Sequence, residues 1–210
     1  MDHLCRLYWY PLYAFARRRG SSPEEAEDLT QGFFERLIEK EGLKTVAREK
    51  GRFRSFLITS FSNFANNEQG KRRAQKRGGL SLITSWDELE AEQRYLHEPL
   101  DGLTPEMLFE RRWAFTMVEQ VLGQLRKEYA EGNKLAVFTE LQGCLTQEAD
   151  PGFIAAAAQR LRMTDGALKV ALHRFRRRFG EHLRAQVAST VAAPDQIDEE
   201  LRHLVAALST

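Results

Sequence analysis

Cysteine is scarce. The 210-residue chain holds two, Cys5 and Cys144, too few for a disulfide framework or a zinc ribbon. Both read as small buried hydrophobes in a reducing, cytoplasmic compartment. Long apolar runs are missing as well. The longest, 153–158, has six residues, against the ~20 that a membrane-spanning helix needs. The opening Met-Asp-His-Leu-Cys-Arg has no basic stretch leading into an apolar one, so no secretory signal is expected. Strand signals are nearly absent: there is no run of alternating β-branched residues, and no Asn-Gly or Asp-Gly pair stands between two such runs. Catalytic patterns are missing too. The five histidines, His3, His97, His173, His182 and His203, form no His-Glu-x-x-His motif. Neither a phosphate loop, a Gly-x-Ser-x-Gly elbow nor a Cys/His metal spacing is present. These absences argue against an enzyme, a bound metal or cofactor, a small-molecule substrate and a membrane partner.

What is present is charge, and it is segregated. The formal net charge is only +1. Residues 48–80, however, carry nine Lys/Arg against two acids, and residues 159–184 carry eight against two. Between them, residues 81–110 carry one Arg against eight acids. Near-neutrality is therefore a cancellation of two basic blocks and an acidic one. A charge run can be a solvated face. Two separate Lys/Arg blocks are also the footprint expected of a protein that meets a polyanion.

Helical periodicity fills most of the chain. Residues 4–19 predict a helix with Leu4, Leu7, Tyr8, Leu12 and Phe15 on one side. Ser21-Ser22-Pro23-Glu24-Glu25 is a helix start: a Ser cap, Pro in the first turn and acids at the positive end of the dipole. That helix runs to about Glu41, with Ala26, Leu29, Phe33 and Leu37 inward, and Gly42 stops it. A third begins near Phe53 and passes Phe56, Leu57, Phe61 and Phe64 into the basic run, which Gly78-Gly79 ends. Residues 80–112, acidic and holding Pro99, Pro105 and Gly102, read as a partly ordered linker. Helices resume at Trp113, then at 133–145, 153–161 and 165–184. In the tail, Ile197, Leu201, Leu204, Val205 and Leu208 form one stripe, expected to pack on the C-terminal domain or to serve a partner. The fold class is all-α: two small helical domains, 1–79 and 113–190, joined by the acidic linker 80–112 and followed by an extension, 191–210.

The pair 153–161 and 165–184, separated by a short turn, forms a helix-turn-helix unit. In its second helix Leu168, Leu172, Phe175 and Phe179 make one inward stripe, and Thr164 is the cap. Lys169, His173, Arg174, Arg176 and Arg177 fall outside that stripe. A helix with a buried apolar stripe and a basic outer face can enter a DNA major groove. It can equally be a solvated basic helix of an ordinary bundle.

The residues from Ala155 to Phe179, AAAAQRLRMTDGALKVALHRFRRRF, resemble the promoter-binding C-terminal domain of bacterial extracytoplasmic-function sigma factors. Ala26-Glu-Asp-Leu-Thr-Gln-Gly-Phe-Phe-Glu-Arg-Leu is similar to the polymerase-binding helix of that family. Gly51-Arg-Phe-Arg-Ser-Phe-Leu, followed by Asn63 and a Lys/Arg cluster, is similar to its minus-ten promoter element. Three positions depart from the family pattern: Gly32 stands for an acid, Asn67 for an Asp, and Arg162 for the Gly of the turn. Residues 126–150 also form a longer connection than most members show.

The resemblance implies a sigma factor whose partners are core RNA polymerase and promoter DNA, with an anti-sigma protein as a further candidate. It makes Asp28, Gln31, Glu35 and Arg36 the polymerase-docking face, over a packing stripe of Leu29 and Phe33. In the minus-ten block, Asn63 and Asn66 carry amides able to read an extruded base. Arg52, Arg54, Lys71, Arg72, Arg73, Lys76 and Arg77 are the cations available for phosphate. Most Phe in that block recur at helical spacing and read as core. In the C-terminal block the DNA-contacting candidates are Thr164, Lys169, His173, Arg174, Arg176 and Arg177. The acidic linker would occupy basic channels of the polymerase as an RNA mimic, or serve as a tether. The competing reading is a helix-turn-helix regulator that binds DNA without polymerase; two separated basic blocks weigh against it.

Overall fold

The computed structural model describes residues 2–39, 53–75, 86–98, 102–145 and 149–209. Every long element among them is a helix. In chain order they are α1 (Asp2–Arg18), α2 (Pro23–Glu39), α3 (Phe53–Gln75), α4 (Trp86–Leu96), α5 (Pro105–Glu131), α6 (Leu135–Leu141), α7 (Pro151–Leu161), α8 (Asp165–Ala188) and α9 (Ile197–Leu208). Short 3-10 turns lie at Gln142–Cys144 and Pro194–Gln196. No described helix is long and apolar enough to cross a membrane. The chain divides into two compact units: residues 1–116 with 190–210, and residues 117–189. Helix α5 contributes its residues through Thr116 to the first and those from Met117 to the second.

The first unit is built around α1, which packs against α2 and α4. The expected one-sided amphipathic helix is a nearly enclosed one: every residue from Tyr10 to Ala16 is buried. The second side is covered by the acidic segment. Here α4 buries Ala91 and Tyr95, and Glu92 within it and Glu98 just after it meet polar groups of α1. Glu92 accepts hydrogen bonds from Tyr13 Oη (2.7 Å) and from Arg17 Nε and Nη2 (both 2.8 Å). Tyr10 Oη donates to Glu98 at 2.8 Å, and Arg112 pairs with the same carboxylate. Burial alone would raise the Glu92 carboxyl, but the bonds from Arg17 and Tyr13 outweigh it and hold it below the ordinary range. Residues 86–98 are thus an integral part of the first unit.

Helix α5 starts at Pro105, eight residues before the expected start at Trp113. Thr104 Oγ1 accepts from Met107 N at 3.2 Å, and Pro105 occupies the first turn, the device that also opens α2. At α2 the cap is a reciprocal box: Ser22 Oγ accepts from Glu25 N, and Glu25 Oε2 accepts from Ser22 N, both at 3.2 Å. The core joins Leu7, Tyr8, Leu12 and Phe15 of α1 to Leu29 and Phe33 of α2, Leu57 and Phe61 of α3, and Leu108, Phe109 and Trp113 of α5. Phe61 meets Phe33 edge-on, with centroids 5.3 Å apart. A Cβ at Gly32 would lie 3.4 Å from Phe64 Cζ, an ordinary contact, so α2 faces the Phe64 ring of α3 at this position without requiring glycine.

The C-terminal extension belongs to the first unit. Of the two expectations, packing on the C-terminal domain or serving a partner, the first is corrected: the helix packs in the first unit instead. Helix α9 buries Leu204, Ala207 and, unusually, Glu200, which is 1% exposed.

In the second unit α6, α7 and α8 pack on one another around Leu125, Phe138, Leu141, Ile154, Ala157, Leu168, Leu172 and Phe175. Cys144 is buried here, and burial pushes its thiol up, whereas Cys5 of the first unit is only half-buried. Two helix ends have the same geometry. After α7, Met163 N donates to Ala158 O (2.9 Å) and Arg162 N to Gln159 O (3.2 Å), with Arg162 at φ +53°. After α5, Lys134 N donates to Tyr129 O (2.7 Å) and Asn133 N to Ala130 O (3.0 Å), with Asn133 at φ +53°. Both are Schellman ends, which favour Gly, or secondarily Asn, at the left-handed position. Arginine has no such preference and pays a Cβ clash there. Arg162→Gly is expected to stabilise the second unit by about 1 kcal/mol, and Arg162→Ala to leave it unchanged. Thermal unfolding of the three chains checks this; a glycine variant no more stable than the parent would show the turn to be unstrained.

Candidate nucleic-acid interface

Helix α2 separates its two faces cleanly. Asp28, Gln31, Glu35 and Arg36 are exposed, while Leu29 and Phe33 are buried. Gln31 Nε2 donates to Glu35 Oε1 at 3.1 Å, one turn apart. The outer face therefore offers carboxylates and an amide, and Leu29 and Phe33 hold it from beneath by packing on Phe61 and its neighbours.

Helix α3 continues the surface. Asn63, Asn66 and Asn67 are exposed on the side opposite Phe53, Leu57 and Phe61. Asn66 Oδ1 accepts from Arg19 Nη2 at 3.1 Å, which orients the amide with its N–H2 group left to donate. The helix carries Lys71, Arg72 and Arg73 in its last turns. Arg52, Lys76 and Arg77 lie outside the described residues.

Arg54 is not part of this surface. The sequence suggested a phosphate contact; the side chain is 2% exposed and sits among four partners of its own unit. Its Nε and Nη2 donate to the two oxygens of Glu200 at 3.0 and 3.2 Å, and its Nη1 pairs with Glu110. His203 Nε2 lies 2.9 Å from Nη1, and the Trp113 ring centroid lies 4.7 Å from Cζ. Burial alone would depress the guanidinium, but Glu200 and Glu110 outweigh it and keep Arg54 charged. Arg54 is a structural clamp between α3, α5 and α9.

In the second unit α7, the turn 162–164 and α8 are consecutive. Asp150 Oδ1 caps α7 by accepting from Phe153 N at 2.8 Å, and Thr164 Oγ1 caps α8 by accepting from Ala167 N at 3.2 Å. Leu168, Leu172 and Phe175 are buried and Phe179 packs against them, so the remaining face is presented outward. Lys169, His173, Arg174 and Arg177 all lie on that face and are exposed. The structure brings these four together, one and two turns apart.

Arg176 does not join them. Its Nε and Nη2 both donate to the Cys144 carbonyl, at 3.0 and 2.8 Å, which ties α8 to the turn after α6. The sequence offered it as a DNA contact; its direction on the helix, nearer the stripe than Arg177, turns it to the protein. Two residues were missed. Val170 is half exposed amid the basic face. Lys134 lies beside α8 and comes from the connection whose net charge is unremarkable. The signal for Lys134 was Gly132-Asn133, a helix stop that fixes the next residue at a helix end.

Together the two units offer three polar surfaces: the carboxylate and amide face of α2, the amide face of α3, and the basic face of α8. Residues 6–75 match the Sigma-70 region 2 family. No curated protein and no solved structure matches the chain. The matched stretch runs from α1 through the last turn of α3, and the chain accordingly carries a Sigma-70 region 2 domain.

Proposed function

We propose that the chain is a sigma factor of the extracytoplasmic-function type: it binds core RNA polymerase, directs it to specific promoters and has no catalytic chemistry of its own. The observation that carries this reading is the Sigma-70 region 2 match over α1–α3, the stretch that also holds the exposed faces of α2 and α3. On this reading α2 docks on the polymerase through Asp28, Gln31, Glu35 and Arg36. Asn63 and Asn66 meet the minus-ten element, with Lys71, Arg72 and Arg73 on its phosphates. The second unit supports the other half: α7 and α8 act as a helix-turn-helix whose exposed Lys169, His173 and Arg174 read the minus-thirty-five element. The match over 6–75 favours this over a regulator that acts without polymerase. The protein then works in the cytoplasm, and an anti-sigma protein is a further proposed partner.

The test uses the full chain, because the first unit draws on residues 86–116 and 190–210 as well as on the matched stretch. Added to core polymerase and a library of genomic fragments, the chain is expected to yield discrete run-off transcripts. The double variant Asp28→Ala/Gln31→Ala is expected to lose co-purification with polymerase. If the parent chain neither co-purifies with polymerase nor supports run-off transcription, the proposal is rejected.

A further inference from the structure

In the second unit a shallow cleft lies alongside α8, lined by Lys134, Arg174, Arg177, Arg178, Glu128 and Glu181 among others. Its cations divide into two kinds. Arg178 is committed: it donates to Glu128 at 2.9 and 3.0 Å and to Glu181 at 3.2 Å. Arg177 shares Glu181, with its Nε 2.9 Å from Oε1. The side chains of Lys134 and Arg174 are exposed, and neither side chain has a hydrogen bond or ion pair among the described residues. Four cations against two carboxylates leave the cleft with a surplus of two positive charges. That surplus sits on the two side chains that are free to turn toward a ligand.

The position of Lys134 is fixed by its backbone. It closes the Schellman end of α5, with Lys134 N bonded to Tyr129 O and Asn133 in the left-handed conformation before it. Phe138 N donates to Lys134 O, so the residue also opens α6. An exposed lysine is thus held on a rigid corner, next to the basic face of α8 but outside that helix.

We infer that Lys134 and Arg174 form a phosphate clamp for the DNA backbone, in which the corner between α5 and α6 grips a phosphodiester bordering the groove that α8 enters. This rests on the proposed reading of α8 and adds to it a contact from another element. Its chemistry differs from base reading. A lysine is a point charge with three rotatable donors, suited to a phosphate oxygen and carrying no sequence information. Arg174 can bridge the two functions, with one edge of its guanidinium toward the groove and the other toward the phosphate that Lys134 holds.

Holoenzyme made with the full chain, or with Lys134→Gln, Lys134→Arg or Lys169→Ala, is titrated onto promoter duplexes over a range of salt. Upstream elements are also selected from a randomised pool. Lys134→Gln is expected to weaken binding by the same factor on selected and scrambled upstream sequences. It is also expected to lower the salt slope by about one unit and to leave the selected sequence unchanged. Lys134→Arg, which keeps the charge, is expected to retain most of the slope. If Lys134→Gln leaves affinity and slope intact while Lys169→Ala alters the selected sequence, the clamp is overturned and the reading of α8 stands. If neither variant changes anything, both fail. A changed consensus with Lys134→Gln would also overturn the clamp, because Lys134 would then be reading bases.

Discussion

Glu200→Leu is expected to destabilise the first unit by about 3 kcal/mol or more, since removing one partner of a buried ion pair leaves the other charged and desolvated. Arg54 and Glu200 side chains are each 2% exposed, so water cannot replace the lost partner. Glu110 remains beside Arg54 after the change and limits the cost. Arg54→Met is expected to cost more, about 3–5 kcal/mol, because it strands both carboxylates. Calorimetry should resolve the effect as a fall of roughly 10 °C in the transition of the first unit. The double variant Arg54→Met/Glu200→Leu is expected to recover much of the loss, as apolar replacements of buried ion pairs often do. The double variant also separates clamp from DNA contact: restored stability with restored promoter opening means that Arg54 serves the fold. Restored stability with promoter opening still lost would return Arg54 to the DNA surface.

The division between what the sequence showed and what it hid follows sequence distance. The start of α2 at Ser22-Pro23, the Thr164 cap, the buried stripe Leu168, Leu172 and Phe175, and the inner and outer faces of α2 are local. Each is decided by residues within a turn or two, and periodicity or capping reports it directly. Arg54 depends on Glu200, 146 positions away. Within the basic block 48–80 it looks like any other cation. The acidic segment was misjudged for the same reason. Its charge and prolines suggested a partly ordered linker, but Glu92 is neutralised by Arg17 on α1, 75 positions earlier, and Glu98 accepts from Tyr10, 88 positions earlier, while pairing with Arg112 on α5. The Thr104-Pro105 start of α5 is a different case, since that signal is local and repeats Ser22-Pro23. Averaging charge and proline content over 80–112 concealed it. Arg176 and Arg177 show the limit on a single helix: neighbours about 100° apart, one bound to the Cys144 carbonyl and the other outward.

On α8, Lys169→Ala or Arg174→Ala is expected to cost about 1–3 kcal/mol in binding to the cognate upstream element and to relax the base preference there. Both residues are exposed within three turns of the Thr164 cap, which on the proposed reading is the end of α8 that enters the groove, where side chains reach base edges. Arg177, one turn further on and paired with Glu181, is expected to weaken all sequences alike when replaced by Ala. Arg178 is bound by Glu128 and Glu181, so its removal should leave the selected consensus unaltered. Leu172→Ala tests the scaffold instead: its side chain is 6% exposed among Phe175, Leu168 and their neighbours, and the cavity should cost the second unit about 2–5 kcal/mol of stability. That variant should lower the unfolding temperature and, while folded, select the parental consensus. Selection from a randomised upstream element with each holoenzyme distinguishes the classes. If Lys169→Ala and Arg174→Ala both leave affinity and consensus as they were, the exposed basic face of α8 is a solvated surface, and promoter reading must be sought on α3.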